Sequence, residues 1–378
     1  MMLEAGEERL VRACQRLPKV ELHAHLNGCI RPSLLLELAE ERDIVGQLSL
    51  SDFKDVILKE DRSLEECFKL FALIHILTTD HGIITRITKE VIEDFASESV
   101  VYLELRTTPK HNEKVGMSKR SYVEAVLAGI RATDAAFPLE SFFACEEKIC
   151  ASSATMETPN HRCDEKKIGR IHVRLLLSID RRESVEGAME TVRLAWEMRH
   201  LGIVGIDLSG DPCIGDWKTF LPALTWAKEQ GFPVALHCAE VPNPTEVEAM
   251  LAFRPDRLGH VCFLEDSEWS KLLTSGIPVE VCLTSNIRTN RVQSIEVHHF
   301  SALYNANHPV VICTDDPGIF STTISREYFL IASHFGLKVP ELLHLSKKAI
   351  DFTFADEKLK KTLLRLFDQA EYVLDCNL

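Results

Sequence analysis

The sequence lacks the patterns that identify several common classes of protein. No Gly-x-Gly-x-x-Gly turn opens a predicted helix, which disfavours a dinucleotide-binding fold. The twelve cysteines include no Cys-x-x-Cys pair, so a zinc finger built on thiolates is not expected. No apolar run reaches the roughly 18 residues that a membrane-spanning helix needs. These absences favour a globular protein with no membrane partner.

Positive charge is scarce as well. Lys and Arg number 43 against 57 Asp and Glu, which gives a formal net charge of −14. This balance argues against a surface that binds nucleic acid or anionic lipid. Residues 1–8 lack the basic and apolar parts of a secretory signal. Cysteines such as Cys238 and Cys282 lie in apolar runs, where a small buried thiol is expected. We therefore expect a reduced, cytosolic protein, and we expect it to be a monomer.

Eight short apolar runs end abruptly in polar residues, as buried strands do. They span residues 20–25, 100–107, 171–180, 203–209, 233–238, 257–261, 278–284 and 309–315. Segments with helical period lie between them, at residues 64–77, 84–95, 122–137, 184–199, 217–230 and 245–253. Alternating strands and helices imply parallel pairing, and eight such units favour a closed barrel over an open sheet. The sequence therefore predicts one α/β domain, residues 1–378, with the (β/α)8 TIM-barrel fold.

Two stretches interrupt this repeat. Residues 31–97 contain too much predicted helix for one crossover, so we expect a helical insertion over the C-terminal mouth of the barrel. Ser63 and Glu66 form a capping-box pattern at the start of a helix in this insertion. Residues 144–168 are polar and predict a surface loop.

Candidate metal ligands lie at the ends of the predicted strands. His23 and His25 end the first strand and point to the same side, His237 ends the fifth, and Asp315 ends the eighth. Active sites of TIM barrels lie at these ends, and imidazole with a carboxylate suits Zn²⁺. Each residue alone has an ordinary explanation, as a core histidine or a solvated turn, but their joint position predicts a zinc site. No lysine that could bridge two metals lies near residues 207–210, so we expect one zinc ion per chain.

Three further residues are suited to proton transfer and substrate binding. Glu240 follows His237 by three residues, so its carboxyl group can lie beside the metal as a proton shuttle. His260 ends the sixth strand and can orient or deprotonate the water, or stabilise developing negative charge. Asp316 points away from its neighbour Asp315 and can bind a substrate nitrogen. Zn²⁺ lowers the pKa of a bound water toward roughly 7, so this combination predicts a hydrolase.

A phosphate site is predicted directly after the second strand. Thr107, Thr108, Pro109 and Lys110 supply two hydroxyls, a fixed turn and an ammonium group. A polar loop with a solvated lysine remains the alternative explanation of this segment.

Several of these segments resemble the adenosine deaminase family. The matching segments follow the family's order along almost the whole chain, at residues 23–25, 207–211, 237–240, 259–260 and 314–317. Others are similar to its adenosine-deaminase-like branch, the N6-methyl-AMP deaminases, and to the plant forms in particular, at residues 17–28, 102–110, 178–182 and 282–286. Ala239 departs from the family pattern, which often has glycine or serine before the glutamate.

The resemblance implies a role for each site residue. Zinc would bind to His23, His25, His237 and Asp315. Glu240 would protonate purine N1, His260 would be the catalytic histidine, Asp316 would contact N7, and Gly210 would present its backbone N–H to the purine. The remaining implied substrate contacts are His25, Asn27, His75, Thr107, Thr108, Pro109, Lys110 and Asp180.

The activity implied by the resemblance is zinc-dependent hydrolysis of N6-methyl-AMP to IMP and methylamine. The substrate is then a small purine nucleoside monophosphate. Two alternatives remain at this point: the same chemistry on free adenosine, and a protein that binds zinc without catalysis. Glu240 and His260 argue against the second alternative, because structural zinc sites seldom keep proton-transfer groups beside an open position.

Overall fold

Eight parallel strands form the centre of the molecule. The structure is a computed structural model that describes residues 2–41, 50–59, 62–133, 136–138 and 168–377. The strands pair in the order β1-β2-β5-β6-β7-β8-β9-β10. Their bounds are β1 Lys19–His25, β2 Val100–Thr107, β5 His172–Asp180, β6 Ile203–Ser209, β7 Val234–Cys238, β8 Arg257–His260, β9 Val279–Val281 and β10 Val310–Ile312. Two short strands, β3 Ala136–Pro138 and β4 Ile168–Arg170, pair with each other in antiparallel fashion.

The last strand returns to the first and closes the barrel. The backbone N–H of Asp315 donates to the carbonyl of His23 at 2.8 Å, and the N–H of His25 donates to the carbonyl of Asp315 at 3.1 Å. These bonds make a parallel bridge between Ala24 and Asp315. The predicted (β/α)8 TIM barrel is therefore confirmed, and its closure lies at the predicted ligand residues themselves.

Helices surround the strands. They are α1 Met2–Arg16, α2 Pro32–Glu41, α3 Leu50–Leu58, α4 Leu64–Leu77, α5 His81–Ser97, α6 Lys119–Ala132, α7 Val185–Met198, α8 Trp217–Glu229, α9 Pro244–Phe253, α10 Asp266–Ser275, α11 Leu283–Arg288, α12 Phe300–Asn305, α13 Pro317–Phe320, α14 Ile324–Phe335, α15 Val339–Lys348 and α16 Glu357–Asn377. Short 3-10 turns lie at Glu113–Val115, Arg199–Leu201, Ile295–Val297 and Ala349–Phe352. Within the described ranges, no helix is long and apolar enough to cross a membrane.

The insertion between β1 and β2 contains α2 to α5. Its helix α4 begins with the predicted capping box, since Glu66 accepts from the backbone of Ser63 at 2.7 Å and donates its own N–H to the Ser63 hydroxyl at 3.3 Å. Arg62 donates to the carbonyls of Gly318 at 3.2 Å and Ile319 at 2.8 Å, just beyond β10. The insertion therefore packs against the C-terminal mouth, as expected from the sequence.

Some predicted boundaries are wrong. The helix predicted to end at Phe137 ends at Ala132, because Thr133 is extended and Phe137 pairs with Gly169 in the β3–β4 hairpin. The seventh strand ends at Val281 rather than at residue 284, because α11 starts at Leu283. The predicted surface loop, except for Ile168 at its end, falls outside the described residues.

Charged side chains fill part of the barrel interior. Arg257 donates to Glu104 at 2.5 Å and to Glu280 at 2.6 Å. Arg106 pairs with Glu280 at 2.5 Å and with Asp207 at 2.9 Å. All five side chains are fully buried, so each charge depends on its partners. The network reaches from the centre of the barrel to the ligand residues at its mouth.

Candidate active site

Four predicted metal ligands meet at the C-terminal end of the barrel, and we call them the ligand cluster: His23, His25, His237 and Asp315. The Nε2 atoms of the histidines are 3.0 to 3.3 Å apart. Asp315 Oδ1 lies 3.4 Å from Nε2 of both His23 and His25. Tetrahedral zinc with bonds of about 2.0–2.1 Å separates its ligands by roughly 3.3–3.4 Å, so the cluster fits this ion.

The other ring nitrogens of two of these histidines face carboxylates. His23 Nδ1 lies 2.7 Å from Glu280 Oε2, and His237 Nδ1 lies 3.2 Å from Asp207 Oδ1 with a less favourable hydrogen-bond angle. Burial would raise the pKa of Glu280 and Asp207, but the charge of Arg106 holds the pKa of both well below the usual range. Ionised carboxylates accept from Nδ1–H, which leaves the Nε2 lone pairs free for a metal.

Asp315 is oriented by the helix that follows β9. The hydroxyl of Ser285 donates to Asp315 Oδ2 at 2.6 Å, so the other oxygen, Oδ1, is the one that faces the histidines. The whole cluster is buried except for part of His25. This burial and the fixed orientations produce a site suited to a single cation.

Glu240 and His260 lie beside the ligand cluster. His260 Nε2 is 3.8 Å from Glu240 Oε2. Arg291 holds Glu240 in two ways: its Nη2 lies 2.9 Å from Oε2, and its Nε donates to the backbone carbonyl at 3.0 Å. Burial lowers the pKa of His260 well below its ordinary value, so the ring is neutral. A carboxyl group and a neutral imidazole thus face the same space next to the cluster.

Several of these residues have a backbone conformation that is rare for residues other than glycine. The φ angles are +53° for Ala239, +67° for His260, +51° for Val261 and +68° for Asp315. Such left-handed residues store strain and often occur at functional sites. A glycine, which the family often has at the position of Ala239, would adopt this conformation without strain, whereas Ala239 adopts it at a cost.

Asp316 lies in a confined position next to Gly28. A Cβ atom on Gly28 would come within 1.6 Å of Asp316 Oδ1, so only glycine fits there. Among the described residues, Asp316 Oδ1 has no hydrogen-bond partner although it is buried. Burial, and then the charge of Asp315, raise the pKa of Asp316 well above its usual range. The carboxyl group is therefore available to a ligand.

A second group of predicted residues lies on the other side of the mouth, and we call it the phosphate-side group: Asn27, His75, Thr107, Thr108, Pro109, Lys110 and Asp180. Lys110 donates to the hydroxyl of Thr78 at 2.7 Å, just after the helix that carries His75. Burial lowers the pKa of Lys110 to about 8. Burial also lowers the pKa of His75, followed by the charges of Lys110 and Arg182. Lys110 and His75 are therefore close enough for the charge of one to affect the protonation of the other.

The remaining members of the phosphate-side group adjoin strand ends. Thr107 Oγ1 lies 2.6 Å from the hydroxyl of Tyr122, which Asn27 also reaches. Asp180 accepts from the backbone N–H of Arg182 at 2.8 Å and from its guanidinium at 2.5 Å. Gly210 has a φ of +110°, and a Cβ there would lie 3.1 Å from Asp180 Oδ1. The described structure thus brings every predicted site residue to one mouth of the barrel.

The residues that support the ligands were not among the predicted site residues. Arg106, Asp207 and Glu280 are charged residues inside apolar strands, and that signal was available in the sequence. Ser285 and Asn286 lie in the segment 282–286, which resembles the adenosine-deaminase-like branch but suggests no role for either residue. Arg291 follows α11 in an irregular segment, where no sequence pattern indicates its contact with Glu240.

Comparison with known proteins identifies the family. The adenosine deaminase family model matches residues 18–370. The chain is 55% identical over 358 residues to the N6-mAMP deaminase of Arabidopsis thaliana, which covers 94% of this chain and 98% of that protein. It is 38% identical over 375 residues to the N6-methyl-AMP deaminase of Homo sapiens, covering 96% of each. A crystal structure of Arabidopsis ADAL complexed with IMP has a TM-score of 0.83 and 53% identity, covering 95% of this chain and 98% of that chain.

The matched region contains every barrel strand, from β1 to β10. Deaminases of this family depend on a metal ion, in agreement with the buried group of histidines and aspartate at the barrel mouth. The chain is a deaminase, a hydrolytic enzyme, and it belongs to the adenosine deaminase family.

Proposed function

We propose that this enzyme hydrolyses N6-methyl-AMP to IMP and methylamine. The relatives with the corresponding activity match nearly their full length, and IMP, the product, is bound in one related structure. One observation carries the proposal: a proton-transfer pair, Glu240 and His260, lies at the same end of the barrel as the half-buried ammonium of Lys110, which is suited to a phosphate. The groups that react with the purine and the groups that bind the phosphate therefore lie at the same end of the barrel.

We further propose that the ligand cluster holds one zinc ion. The close approach of three imidazole nitrogens and a carboxylate oxygen supports this, since a cation offsets the repulsion of their lone pairs. When bound, zinc acidifies a water molecule and so provides a hydroxide at neutral pH.

Glu240 moves the proton that activates the purine. Its carboxyl group protonates N1 while a hydroxide adds to C6, and Arg291 fixes the orientation of that carboxyl group. The bond from C6 to the exocyclic nitrogen then breaks, the hydroxyl proton passes to the departing nitrogen, and methylamine leaves. General acid catalysis of this kind typically accelerates a step by about 10²–10⁴-fold.

Other residues orient the purine. The unpartnered Oδ1 of Asp316 is placed to contact N7, and Gly210 leaves its backbone open to the ring because it has no side chain. His25 is the partly exposed member of the ligand cluster, so its ring can also contact the substrate. Together these groups hold C6 next to the ligand cluster, which supplies the proximity that the reaction needs.

The phosphate-side group recognises the 5′-phosphate. Lys110 has no carboxylate within salt-bridge distance among the described residues, and its ammonium is half-buried, so its charge is only partly solvated. Thr107, Thr108, Asn27 and His75 add hydrogen-bonding groups around it. A phosphate would supply the missing charge, which favours a nucleotide over free adenosine, the alternative substrate.

The oligomeric state, domain content and location belong to the same proposal. The family model spans residues 18–370 and includes every barrel strand, which supports residues 1–378 as one barrel domain, and we propose that the enzyme is a monomer. The described cysteines are all free, which supports a reducing compartment such as the cytosol. Analytical ultracentrifugation of the purified enzyme tests whether it is a monomer.

A substrate panel tests the proposed reaction. Purified enzyme is incubated with N6-methyl-AMP, AMP, N6-methyladenosine and adenosine, and IMP, inosine, methylamine and ammonia are quantified. We expect the highest kcat/KM with N6-methyl-AMP and release of methylamine in equal amount to IMP. Preference for adenosine over both monophosphates would instead support the alternative substrate.

A further inference from the structure

The ring of His298 carries its proton on a defined nitrogen. Burial lowers the pKa of His298 to about 2, so the ring is neutral and has one N–H. The backbone N–H of Phe300 donates to His298 Nδ1 at 3.0 Å. Because a backbone amide can only donate, Nδ1 must accept, and the ring proton lies on Nε2.

This proton determines the orientation of the Asn286 side chain. His298 Nε2 lies 3.2 Å from Asn286 Oδ1, so the ring donates to the amide oxygen. The amide nitrogen of Asn286 then faces His260 Nδ1 at 3.0 Å. An amide N–H₂ group can only donate, so His260 Nδ1 is an acceptor. An accepting Nδ1 carries no proton, so the ring proton of His260 lies on Nε2, the atom directed toward Glu240.

The chain of hydrogen bonds is shielded from water. Asn286 and His298 are fully buried and His260 is 1% exposed, so solvent cannot satisfy a reversed amide. His299 stacks on His298 with ring centroids 4.2 Å apart. The Nε2–H of His299 donates to the backbone carbonyl oxygen of His260 at 2.7 Å. Both the ring and the strained backbone of His260 are thus held from the same segment.

We propose that Asn286 and His298 are positioning residues that fix His260 as the neutral tautomer with its proton on Nε2. If His260 carried a proton on Nδ1, that proton would face the N–H₂ group of Asn286. If the Asn286 amide were reversed, its N–H₂ group would face the Nε2–H of His298. Both arrangements place two donors against each other. His260 is then a hydrogen-bond donor to the oxygen that adds to C6 and not the base that deprotonates it. This catalytic consequence rests on the proposed function, whereas the tautomer itself does not.

Histidine ¹⁵N NMR tests the tautomer directly. The full-length zinc-loaded enzyme is labelled with ¹⁵N-histidine, and long-range ¹H–¹⁵N correlations assign the proton of each ring. We expect a protonated Nε2 and an unprotonated Nδ1 for His260. Asn286→Asp replaces the donor by a carboxylate, which accepts from both rings, so the His260 proton should move to Nδ1. An unchanged spectrum in this variant, or Nδ1–H in the native enzyme, overturns the proposal.

Kinetics test the consequence for catalysis. Loss of an oxyanion donor costs about 10²–10³-fold in rate, so Asn286→Asp should lower kcat by about that factor with little change in KM. His298→Leu should lower kcat as well, because the Asn286 amide is no longer fixed. His298→Gln should recover most of this loss, since its amide N–H can still reach Asn286 Oδ1. Failure of His298→Gln to improve on His298→Leu would contradict the proposed chain.

A matched control separates this effect from general loss of stability. His308 is also a buried histidine, and its Nε2 donates to the Ile277 carbonyl at 2.8 Å, before the start of β9. His308→Gln should change neither the His260 tautomer nor kcat, and an equal loss of kcat here would contradict the assignment. If the native enzyme has the Nε2–H tautomer but converts no purine of the panel, the proposed function fails while the positioning role stands.

Discussion

The two sides of the barrel mouth are built in different ways. In the ligand cluster, His23, His237 and Asp315 each have a second partner, respectively Glu280, Asp207 and Ser285. The three ligands lie in barrel strands or within three residues of a strand end, and Ser285 lies in α11, just after β9.

The phosphate-side group combines the ends of two barrel strands with a loop and with a helix of the insertion. Lys110 belongs to the segment after β2, His75 to helix α4 of the insertion, and Asp180 to the end of β5. Its side chains are partly exposed in several places, and the buried Asn27 Oδ1 lacks a described partner.

This difference matches the proposed roles of the two groups: the ligand cluster takes part in the reaction, and the phosphate-side group recognises the substrate. Strands joined by backbone hydrogen bonds hold reacting groups accurately, whereas loops and helices can vary to suit a substrate. Changes near the ligand cluster should therefore reduce kcat or metal affinity for every substrate. Changes in the phosphate-side group should affect only substrates that carry a phosphate.

The largest expected effect is that of Glu240→Gln. The amide retains the shape of the side chain but cannot give up a proton to N1, so kcat should fall by about 10³-fold on nucleotide and nucleoside alike. The zinc content, measured by mass spectrometry of the metal, should stay the same. A variant with near-normal turnover would remove Glu240 from the mechanism.

Lys110→Ala should affect the two substrate types differently. Loss of a charge-assisted bond to phosphate removes roughly 1.5–3 kcal/mol, which corresponds to about 10–100-fold in kcat/KM for N6-methyl-AMP. The kcat/KM for N6-methyladenosine should not change. Lys114→Ala, at an exposed lysine of the same segment, is the matched control and should leave both values unchanged. Equal losses on both substrates would show that the phosphate lies elsewhere.

Ser285→Ala should weaken metal binding without unfolding the protein. It removes the hydroxyl that orients Asp315, and residues that orient metal ligands typically contribute about 10–100-fold to affinity. We expect the lower end, about tenfold, in a competition titration with a zinc chelator. Ser346→Ala is the control, since this buried serine donates to the Pro18 carbonyl at 3.0 Å on the far side of β1. An equal change in both variants would contradict the role of Ser285.

The smallest effect is a pH dependence. The ammonium of Lys110 is charged below its pKa of about 8, which burial has lowered, and it loses its charge as the pH rises through that value. The kcat/KM for N6-methyl-AMP should thus fall above pH 8, by up to about tenfold per pH unit, while that for N6-methyladenosine should not follow. Parallel pH profiles for the two substrates would contradict this account.

The meeting of His23, His25, His237 and Asp315 at one end of the barrel follows from two regular patterns in the sequence. Alternation along a strand sends His23 and His25 to one side, and a parallel barrel brings all strand ends to one face. The contacts of Arg291 and His298 were not predictable in this way. They depend on irregular segments after α11, whose course is determined by packing and not by a repeating pattern.

The buried charges inside the barrel could have been inferred from the sequence, whereas the early end of helix α6 could not. Glu280 and Asp207 lie in apolar strands, where a buried charge implies a partner. The early end of helix α6 at Ala132 depends on the pairing of Phe137 with a strand that is distant in sequence. Such long-range pairing overrides a local helical period.

The central claim is that three histidines and one aspartate hold a single zinc ion. Zinc content and X-ray absorption spectra of the purified enzyme test it most directly. We predict one zinc per chain with only nitrogen and oxygen ligands, at about 2.0–2.1 Å. An enzyme that is active without zinc, or a sulfur ligand at about 2.3 Å from a nearby thiol such as Cys29, would contradict the account.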